Sequence, residues 1–374
     1  MTQTPKHQIL REYILGQIGT GAFGPGMRIP SENELAERFH FSRHTVRHAI
    51  GELTAEGCLI RIHGKGTYVS QAMVECKTIG ILTTYLTDYI FPAILRGIDE
   101  RLSARGYAYM LNCTFNDWQK ERSALQSFLA LPISGLIVEP TRSALPNPNL
   151  DLYQALRQKG VKLLFIHGSY GVLDAPYIAQ DDAAGGQMAA EYLLTQGFRR
   201  IGGIFKANDI QGLLRCLGME SALQQRGNPC GAEDILWFDD YTVSPDGLQL
   251  YRDYDQEGST SLIRKKQSKA QIRHFFAHHD AVLLYNEVAA LSAMEIIKKY
   301  KLVIPRDIAI VTFDDSEIAR AVGPKLTTIA HPKEELGRIA ADTMLDMLQK
   351  REGEFLSVKI KPRLIARDSG ILTR

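Results

Sequence analysis

Between Ser31 and Val69 the chain carries a helix start, a turn, a second helix with a basic face and a glycine-tipped hairpin, an order that leaves few folds open. Ser31-Glu32-Asn33-Glu34 is a capping box: the Ser31 hydroxyl can accept from the Glu34 backbone N–H, and the Glu34 carboxylate reaches back to Ser31. A helix therefore begins at Glu32, with Leu35, Ala36 and Phe39 as its apolar face. Phe41-Ser42 supplies a turn and a second N-cap. The spacing predicts the next helix from Arg43 to about Glu56, stopped by Gly57. On it Val46, Ala49, Ile50 and Leu53 fall to one side, and Arg43, His44, Arg47 and His48 to the other. Leu59 to Ile62 and Thr67 to Val69 read as two short strands, joined by His63-Gly64-Lys65-Gly66, a tight turn with a cation at its tip. This is the layout of a winged helix-turn-helix, and double-stranded DNA is the expected partner.

Arg43 and Arg47 lie one helical turn apart, where a guanidinium fork matches the O6 and N7 acceptors of guanine and equally a phosphate. Ser42, His44 and Thr45 start the same helix. His63 and Lys65 would lie along the DNA backbone or in the minor groove. A solvated basic face beside an ordinary hairpin is the competing reading, but three independent signals in the right order favour DNA. Up to Glu75 there are eight Lys or Arg against seven Asp or Glu, so pattern rather than bulk charge carries the expectation.

Arg28-Ile29-Pro30-Ser31-Glu32-Asn33-Glu34-Leu35-Ala36, followed by Ser42-Arg43-His44-Thr45-Val46-Arg47, resembles the signature of the GntR family of winged-helix repressors. The resemblance covers residues 5 to 70. It implies that Glu32, Arg43, Arg47 and His63 contact operator DNA.

At 374 residues the chain is longer than one ordinary domain, and roughly 300 residues remain beyond the winged helix, enough for a two-lobed α/β unit. The cysteines at 58, 76, 113, 216 and 230 form no CxxC pair and no His cluster has zinc spacing, so neither a metal nor a disulfide framework is expected. No cofactor is expected either. A reducing cytoplasm fits, since the N-terminus lacks an apolar signal core and no run approaches a membrane span. The net charge of +2 does not suggest a nonspecific polycation.

The organisation expected is a DNA reader over residues 1–70, a linker over 71–77 and a sensor over 78–374. Beyond the linker, apolar strands alternate with helices: strands at Thr78–Leu82, Tyr107–Asn112, Gly135–Glu139, Lys162–Ile166, Ile201–Phe205, Ile235–Phe238, Ala281–Tyr285 and Ile308–Phe313, with helices such as Phe91–Arg105, Trp118–Leu131 and Leu150–Lys159 between them. This rhythm implies parallel sheets covered on both faces, and two such series imply two lobes. In open parallel sheets ligands sit beyond the carboxyl ends of strands. That rule selects Asp88, Tyr89 and Phe91, then Glu139, His167 and Tyr170, then Lys206 with Asp209, Asn286 with Glu287, and Asp314 with Asp315. Carboxylates, amides and cations suit the hydroxyls of a sugar, and Tyr89, Phe91 or Tyr170 suits its apolar face. Any one of them alone reads as a loop-end polar residue or a helix cap; their convergence favours a binding site.

Several of these residues carry a second resemblance. Thr78 to Leu82, Arg96-Gly97-Ile98, Asp181-Asp182 with Gly185-Gly186, Arg215 before Gly218, Val311 to Asp315 and Leu326 to Ile329 look like the LacI/GalR effector domain, itself similar to periplasmic sugar-binding proteins. It covers residues 77 to 370, and places Arg215, Asn286, Asp314 and His331 where that family holds its sugar. Glu287 stands in place of the usual Asp and Thr312 in place of the usual Gly; the LacI-type headpiece and hinge helix are absent. The pairing of the two modules, with Thr78 to Tyr85, Asp88 to Pro92, Gly135 to Thr141 and Gly203 to Ala207, resembles the arabinose-responsive repressors of Gram-positive bacteria. This implies L-arabinose as effector. A small winged-helix footprint further predicts a homodimer on a pseudo-palindrome. A sugar-active enzyme using carboxylates such as Glu139 and Asp314 is the alternative, although no P-loop, GxGxxG or nucleophile elbow is present.

Overall fold

The computed structural model describes residues 5–19, 21–70, 77–86, 89–240, 243–244, 247–248, 269–349 and 357–372. All of the expected linker except Lys77, and the candidate Asp88, lie outside them.

The N-terminal unit consists of α1 (Lys6–Gly19), α2 (Glu32–Phe39), α3 (Arg43–Ala55), β1 (Leu59–Ile62) and β2 (Gly66–Val69). Its capping is local and as expected: Glu34 N donates to Ser31 Oγ at 3.3 Å, Ser31 N to Glu34 Oε2 at 2.6 Å, and Thr45 N to Ser42 Oγ at 3.1 Å. The apolar face of α3, Val46, Ala49, Ile50 and Leu53, buries against Leu10 and Ile14 of α1, Leu35 of α2 and Leu59 and Val69 of the hairpin. Each buried Val, Leu or Ile contributes about 1.5–3 kcal/mol. The basic face is thereby turned outward. In the hairpin Leu59 pairs with Val69 and Ile62 with Gly66, so Gly66 belongs to the strand and the turn shortens to His63-Gly64-Lys65. Gly64 at φ 74° and Gly66 at φ 119° adopt left-handed angles that favour glycine.

The first lobe contains β3 (Thr78–Thr83), α4 (Phe91–Ser103), β4 (Ala108–Cys113), α5 (Trp118–Ala130), β5 (Gly135–Val138), α6 (Leu150–Gln158), β6 (Lys162–Ile166) and β7 (Tyr177–Gln180). The chain then crosses to the second lobe: α7 (Asp182–Gln196), β8 (Ile201–Lys206), α8 (Ile210–Gln225), β9 (Ile235–Phe238), the two-residue strands β10 (Val243–Ser244) and β11 (Gly247–Leu248), α9 (Lys269–His278), β12 (Ala281–Leu284), α10 (Glu287–Lys299), β13 (Ala309–Asp314), α11 (Glu317–Ala321) and β14 (Thr327–Ala330). It returns through α12 (Lys333–Gln349) and β15 (Val358–Ile360), and β16 (Arg363–Ile365) lies again in the second lobe. The first sheet has the order β15-β7-β6-β5-β3-β4 and is parallel throughout. The second has the order β16-β14-β13-β12-β8-β9, parallel except for β16. Apolar clusters flank both sheets, as continuous Ile/Leu/Val strands require.

One close approach positions a site residue. A Cβ at Gly186 would stand 2.1 Å from the Arg215 carbonyl oxygen, and one at Gly218 would stand 2.0 Å from the Ala183 carbonyl oxygen. Only glycine lets α7 and α8 touch backbone to backbone, and this contact brings Arg215 to Asp182 at the start of α7.

Candidate functional site

The carboxyl ends of the two sheets face each other and are bridged by side chains. Tyr89 Oη donates to Asp314 Oδ2 at 2.5 Å, Tyr85 Oη to Asp240 Oδ1 at 2.7 Å, and Asn116 Nδ2 to Asp240 Oδ2 at 2.5 Å and Asp209 Oδ1 at 3.3 Å. Several strand-end residues bordering this cleft have left-handed backbones despite being non-glycine: Asn116 (φ 54°), Arg142 (φ 46°), His167 (φ 64°), Asp314 (φ 103°) and Asp315 (φ 50°). Such strain persists only where surrounding contacts enforce it, and it clusters at functional sites.

On the first-lobe wall, Glu139 follows β5 and His167 follows β6. Glu139 Oε2 accepts from Thr84 N at 2.8 Å, Thr84 Oγ1 at 2.5 Å and Thr83 Oγ1 at 3.2 Å, and Oε1 accepts from His167 Nδ1 at 2.8 Å. Burial pushes the Glu139 carboxyl up, but the bonds from His167 and Thr84 outweigh it and hold the group below its ordinary value. With the His167 proton fixed on Nδ1, its Nε2 is the atom left for a ligand. His331, where the chain crosses back toward α12, stacks edge-on against His167 with ring centroids 5.0 Å apart. Burial, then the neighbouring His167, Lys333 and Arg215, keeps His331 well below its ordinary pKa and so neutral. Gln180, at the first crossover, donates through Nε2 to Ala330 O at 3.3 Å.

The second-lobe wall is charged. Lys206 Nζ, at the end of β8, sits 2.8 Å from Asp209 Oδ2 and 2.6 Å from Asp240 Oδ1. Burial would lower this ammonium, but the two carboxylates outweigh it and raise its pKa well above the usual lysine value. Asn208 Nδ2 also donates to Asp240 Oδ2, at 2.6 Å. Deeper in, Arg215 Nε donates to Asp182 Oδ1 at 2.8 Å and Nη1 to Tyr285 O at 2.5 Å, with Nη2 3.9 Å from Asp314 Oδ1. Its guanidinium carbon lies 4.1 Å from the Phe313 ring centroid. Asn286 is half-buried and its Oδ1 caps α10, accepting from Ala289 N at 3.0 Å.

The cleft thus gathers Tyr89, Glu139, His167, Lys206, Arg215, Asn286, Asp314 and His331, all of them expected from sequence. Two expectations are corrected. Tyr170 does not cover a ligand: it is 6% exposed in the first-lobe core, where its Oη donates to Glu121 Oε1 at 3.0 Å and Thr141 O at 2.8 Å. Phe91 is 1% exposed and packs with Ile94, Ile98 and Leu336. Both follow a strand, but the helical turn that each begins directs the ring into the apolar layer. Tyr85, Asn116, Gln180, Asp182, Asn208 and Asp240 were not selected as ligand contacts. The strand-end rule applied to β4, β7 and β9 as well would have pointed to Asn116, Gln180 and Asp240.

On the winged helix, Arg43, His44, Arg47, His63 and Lys65 are exposed, while Ser42 and Thr45 are occupied in capping, with their hydroxyl oxygens 2.8 Å apart. Glu32 joins the recognition helix to the wing: Oε2 accepts from Arg47 Nε at 3.2 Å and Nη2 at 3.1 Å, and Oε1 from Arg61 Nη2 at 2.6 Å. Arg61, at an exposed position of β1, is a further cation on this surface that no local spacing singles out.

Residues 7–69 match the family model of bacterial regulatory proteins of the gntR family, and residues 190–370 match a periplasmic binding protein-like domain. An arabinose metabolism transcriptional repressor of Geobacillus stearothermophilus is 39% identical over 370 residues, covering 98% of this chain and 97% of the relative. Another, from Halalkalibacterium halodurans, is 32% identical, covering 97% and 96%. Among solved structures, a transcriptional regulator CelR–cellobiose complex superposes with a TM-score of 0.65 at 20% identity, over 87% of this chain and 90% of that one. A periplasmic binding protein/LacI transcriptional regulator from Alkaliphilus metalliredigens, complexed with D-xylulofuranose, superposes with a TM-score of 0.62 at 22% identity, over 78% and 98%. These full-length relatives are transcriptional repressors, and they do not support the alternative of a sugar-active enzyme. A winged helix of the GntR type joined to a periplasmic binding protein-like sensor makes a sugar-responsive repressor, and the chain belongs to the family of arabinose metabolism transcriptional repressors.

Proposed function

We propose that L-arabinose is the effector and that it binds between the two lobes, weakening the hold of the winged helix on operator DNA. One observation carries this reading: of the seven side-chain atoms of the described residues that are buried without a hydrogen-bond partner, five, His167 Nε2, both ring nitrogens of His331, Gln180 Oε1 and Asn208 Oδ1, lie at the cleft-side ends of strands, the other two being Trp118 Nε1 and Thr312 Oγ1. Each such atom costs about 1–3 kcal/mol, and a compact ligand rich in hydroxyls relieves that cost. Glu139 holds His167 in register, while Tyr89, Lys206, Arg215, Asn286 and Asp314 supply further donors and acceptors; Asp88 lies outside the described residues. The arabinose-metabolism relatives and the pentulose-bound fold neighbour are consistent with a pentose.

The reader spans residues 1–70 and the sensor 78–374, joined by 71–77. Arg43 and Arg47 read bases, with Glu32 aligning Arg47. His44, Arg61, His63 and Lys65 contact the backbone, and Ser42 and Thr45 present the start of the helix to a phosphate. The protein acts in the cytoplasm as a homodimer on a pseudo-palindromic site, since a single winged helix has a small footprint. Among the described residues no helix is long and apolar enough to cross a membrane. Control requires that the sugar bind the DNA-released state more tightly than the DNA-bound state.

The test is calorimetric titration of L-arabinose, D-xylose, D-ribose and D-galactose, paired with operator release in a mobility-shift assay. A mismatched epimer leaves a buried polar group unpaired at about 1–3 kcal/mol, so L-arabinose should bind roughly tenfold or more tightly than the others. Tighter binding of any other sugar refutes the effector assignment.

A further inference from the structure

We infer that His7, His48 and Glu52 form a divalent transition-metal site on the winged helix, suited to Zn²⁺. The ligating atoms of these three side chains all lie within 4.8 Å of one another. His48 and Glu52 stand one turn apart on α3, with Nδ1 and Oε1 3.7 Å apart, and His7 projects from the first turn of α1 so that its ring meets the His48 ring edge-on at 4.8 Å. Two imidazoles and a carboxylate are a zinc donor set. At bond lengths of about 2.0–2.2 Å a tetrahedral ion holds its ligand atoms roughly 3.3 Å apart. The His48–Glu52 pair is already near that spacing, and the half-exposed side chains reach the rest by rotamer adjustment, leaving one position for water. Arg11, whose charge reaches Glu52, is engaged elsewhere, its Nη2 lying 3.0 Å and 2.8 Å from the Glu56 carboxylate oxygens. Arg11 therefore does not occupy the position the ion would take.

The consequence is mechanical. α1 and α3 meet through Leu10, Ile14, Val46 and Ile50, and an ion at the open end of that contact would pin the first turn of α1 to the helix carrying Arg43 and Arg47. The site is remote in sequence from the cleft residues. It falls outside every zinc spacing pattern because His7 and His48 are brought together only by the packing of α1 on α3.

The full-length protein, stripped with a chelator, is titrated with Zn²⁺ against a chromophoric zinc indicator, alongside His7→Ala, His48→Ala and Glu52→Gln variants. The wild type should bind one more zinc per chain than either histidine variant, in the micromolar range, with Glu52→Gln weakened about tenfold or more, and its melting temperature should rise with Zn²⁺ while those of the histidine variants do not. Circular dichroism of the metal-free variants matching the wild type shows that folding is intact; His48 is half-exposed, so its replacement leaves the core untouched. Equal zinc stoichiometry in wild type and both histidine variants overturns the proposal, as does loss of the site in one histidine variant but not the other.

Discussion

Arg215→Ala tests how the cleft is held together. The substitution removes the 2.8 Å ionic bond to Asp182 and the 2.5 Å bond to Tyr285 O, and both partners remain buried, Asp182 at 3% exposure. Breaking a buried pair by deleting one member costs about 3–5 kcal/mol, whereas replacing both with apolar groups of similar size is close to neutral. We therefore expect Arg215→Ala to lower the stability of the sensor by about 3–5 kcal/mol in urea unfolding at neutral pH. Arg215→Met combined with Asp182→Leu should recover most of the loss. The deficit has a defined pH dependence. Burial already raises the Asp182 carboxyl even with Arg215 present, and without Arg215 it rises further, so the folded state binds a proton that the unfolded state releases above about pH 4. Stability of the single variant therefore falls, relative to wild type, as pH rises from about 4 toward neutrality. In a mobility-shift assay the double variant should hold operator DNA and ignore L-arabinose. A stability loss under about 1 kcal/mol for Arg215→Ala, or normal release of the double variant by sugar, refutes the reasoning.

Arg47→Ala should weaken specific operator binding by about 1–3 kcal/mol while leaving sugar binding and stability near wild type, because its side chain is 65% exposed; operator affinity within twofold of wild type counts against its role. Glu287, buried beside Ser316 and Thr328, has its carboxyl pushed up to about 7 by burial and by the charge of Asp314. Wild-type stability should thus fall as pH rises from about 4.3 through about 7, and Glu287→Gln should flatten that slope; identical urea midpoint shifts in both proteins between about pH 5 and about pH 8 contradict it. Tyr85→Phe deletes a 2.7 Å bond from the first lobe to Asp240 of the second. At about 1.5–3 kcal/mol for a bond to a charged acceptor, its loss should open the lobes and increase the sugar-free radius of gyration in X-ray scattering; an unchanged profile shows that the contact does not hold the lobes together.

What the sequence by itself determined was whatever depends on neighbours a few residues apart. The Ser31–Glu34 capping box, the Ser42 cap and the divided faces of α3 are interactions at spacings of three or four, so they are written in order along the chain and appear in the structure as expected. The alternation of strands and helices from Thr78 onward was legible for the same reason, with boundaries off by a residue or two: the strand expected to end at Phe205 continues to Lys206, and the helix expected to end at Arg105 stops at Ser103. The rule that ligands lie beyond strand ends selected Tyr89, Glu139, His167, Lys206, Asn286 and Asp314, which the structure brings to the facing ends of the two sheets.

Tertiary structure alone decided which way those strand-end residues turn and what they meet. Tyr170 and Tyr89 look alike as loop tyrosines, yet one bonds to buried Glu121 in the core and the other crosses the cleft to Asp314. The difference lies in how each loop sits on its sheet, which no local spacing records. Lys206 with Asp240 and Tyr85, Arg215 with Asp182 and Phe313, Glu32 with Arg61, and His7 with His48 are partners separated by tens of residues or more, joined because helices and sheets pack at fixed distances. Charge pairing inside a low-dielectric cleft depends on those distances and on burial, and both exist only once the chain has crossed between the lobes and closed them on each other.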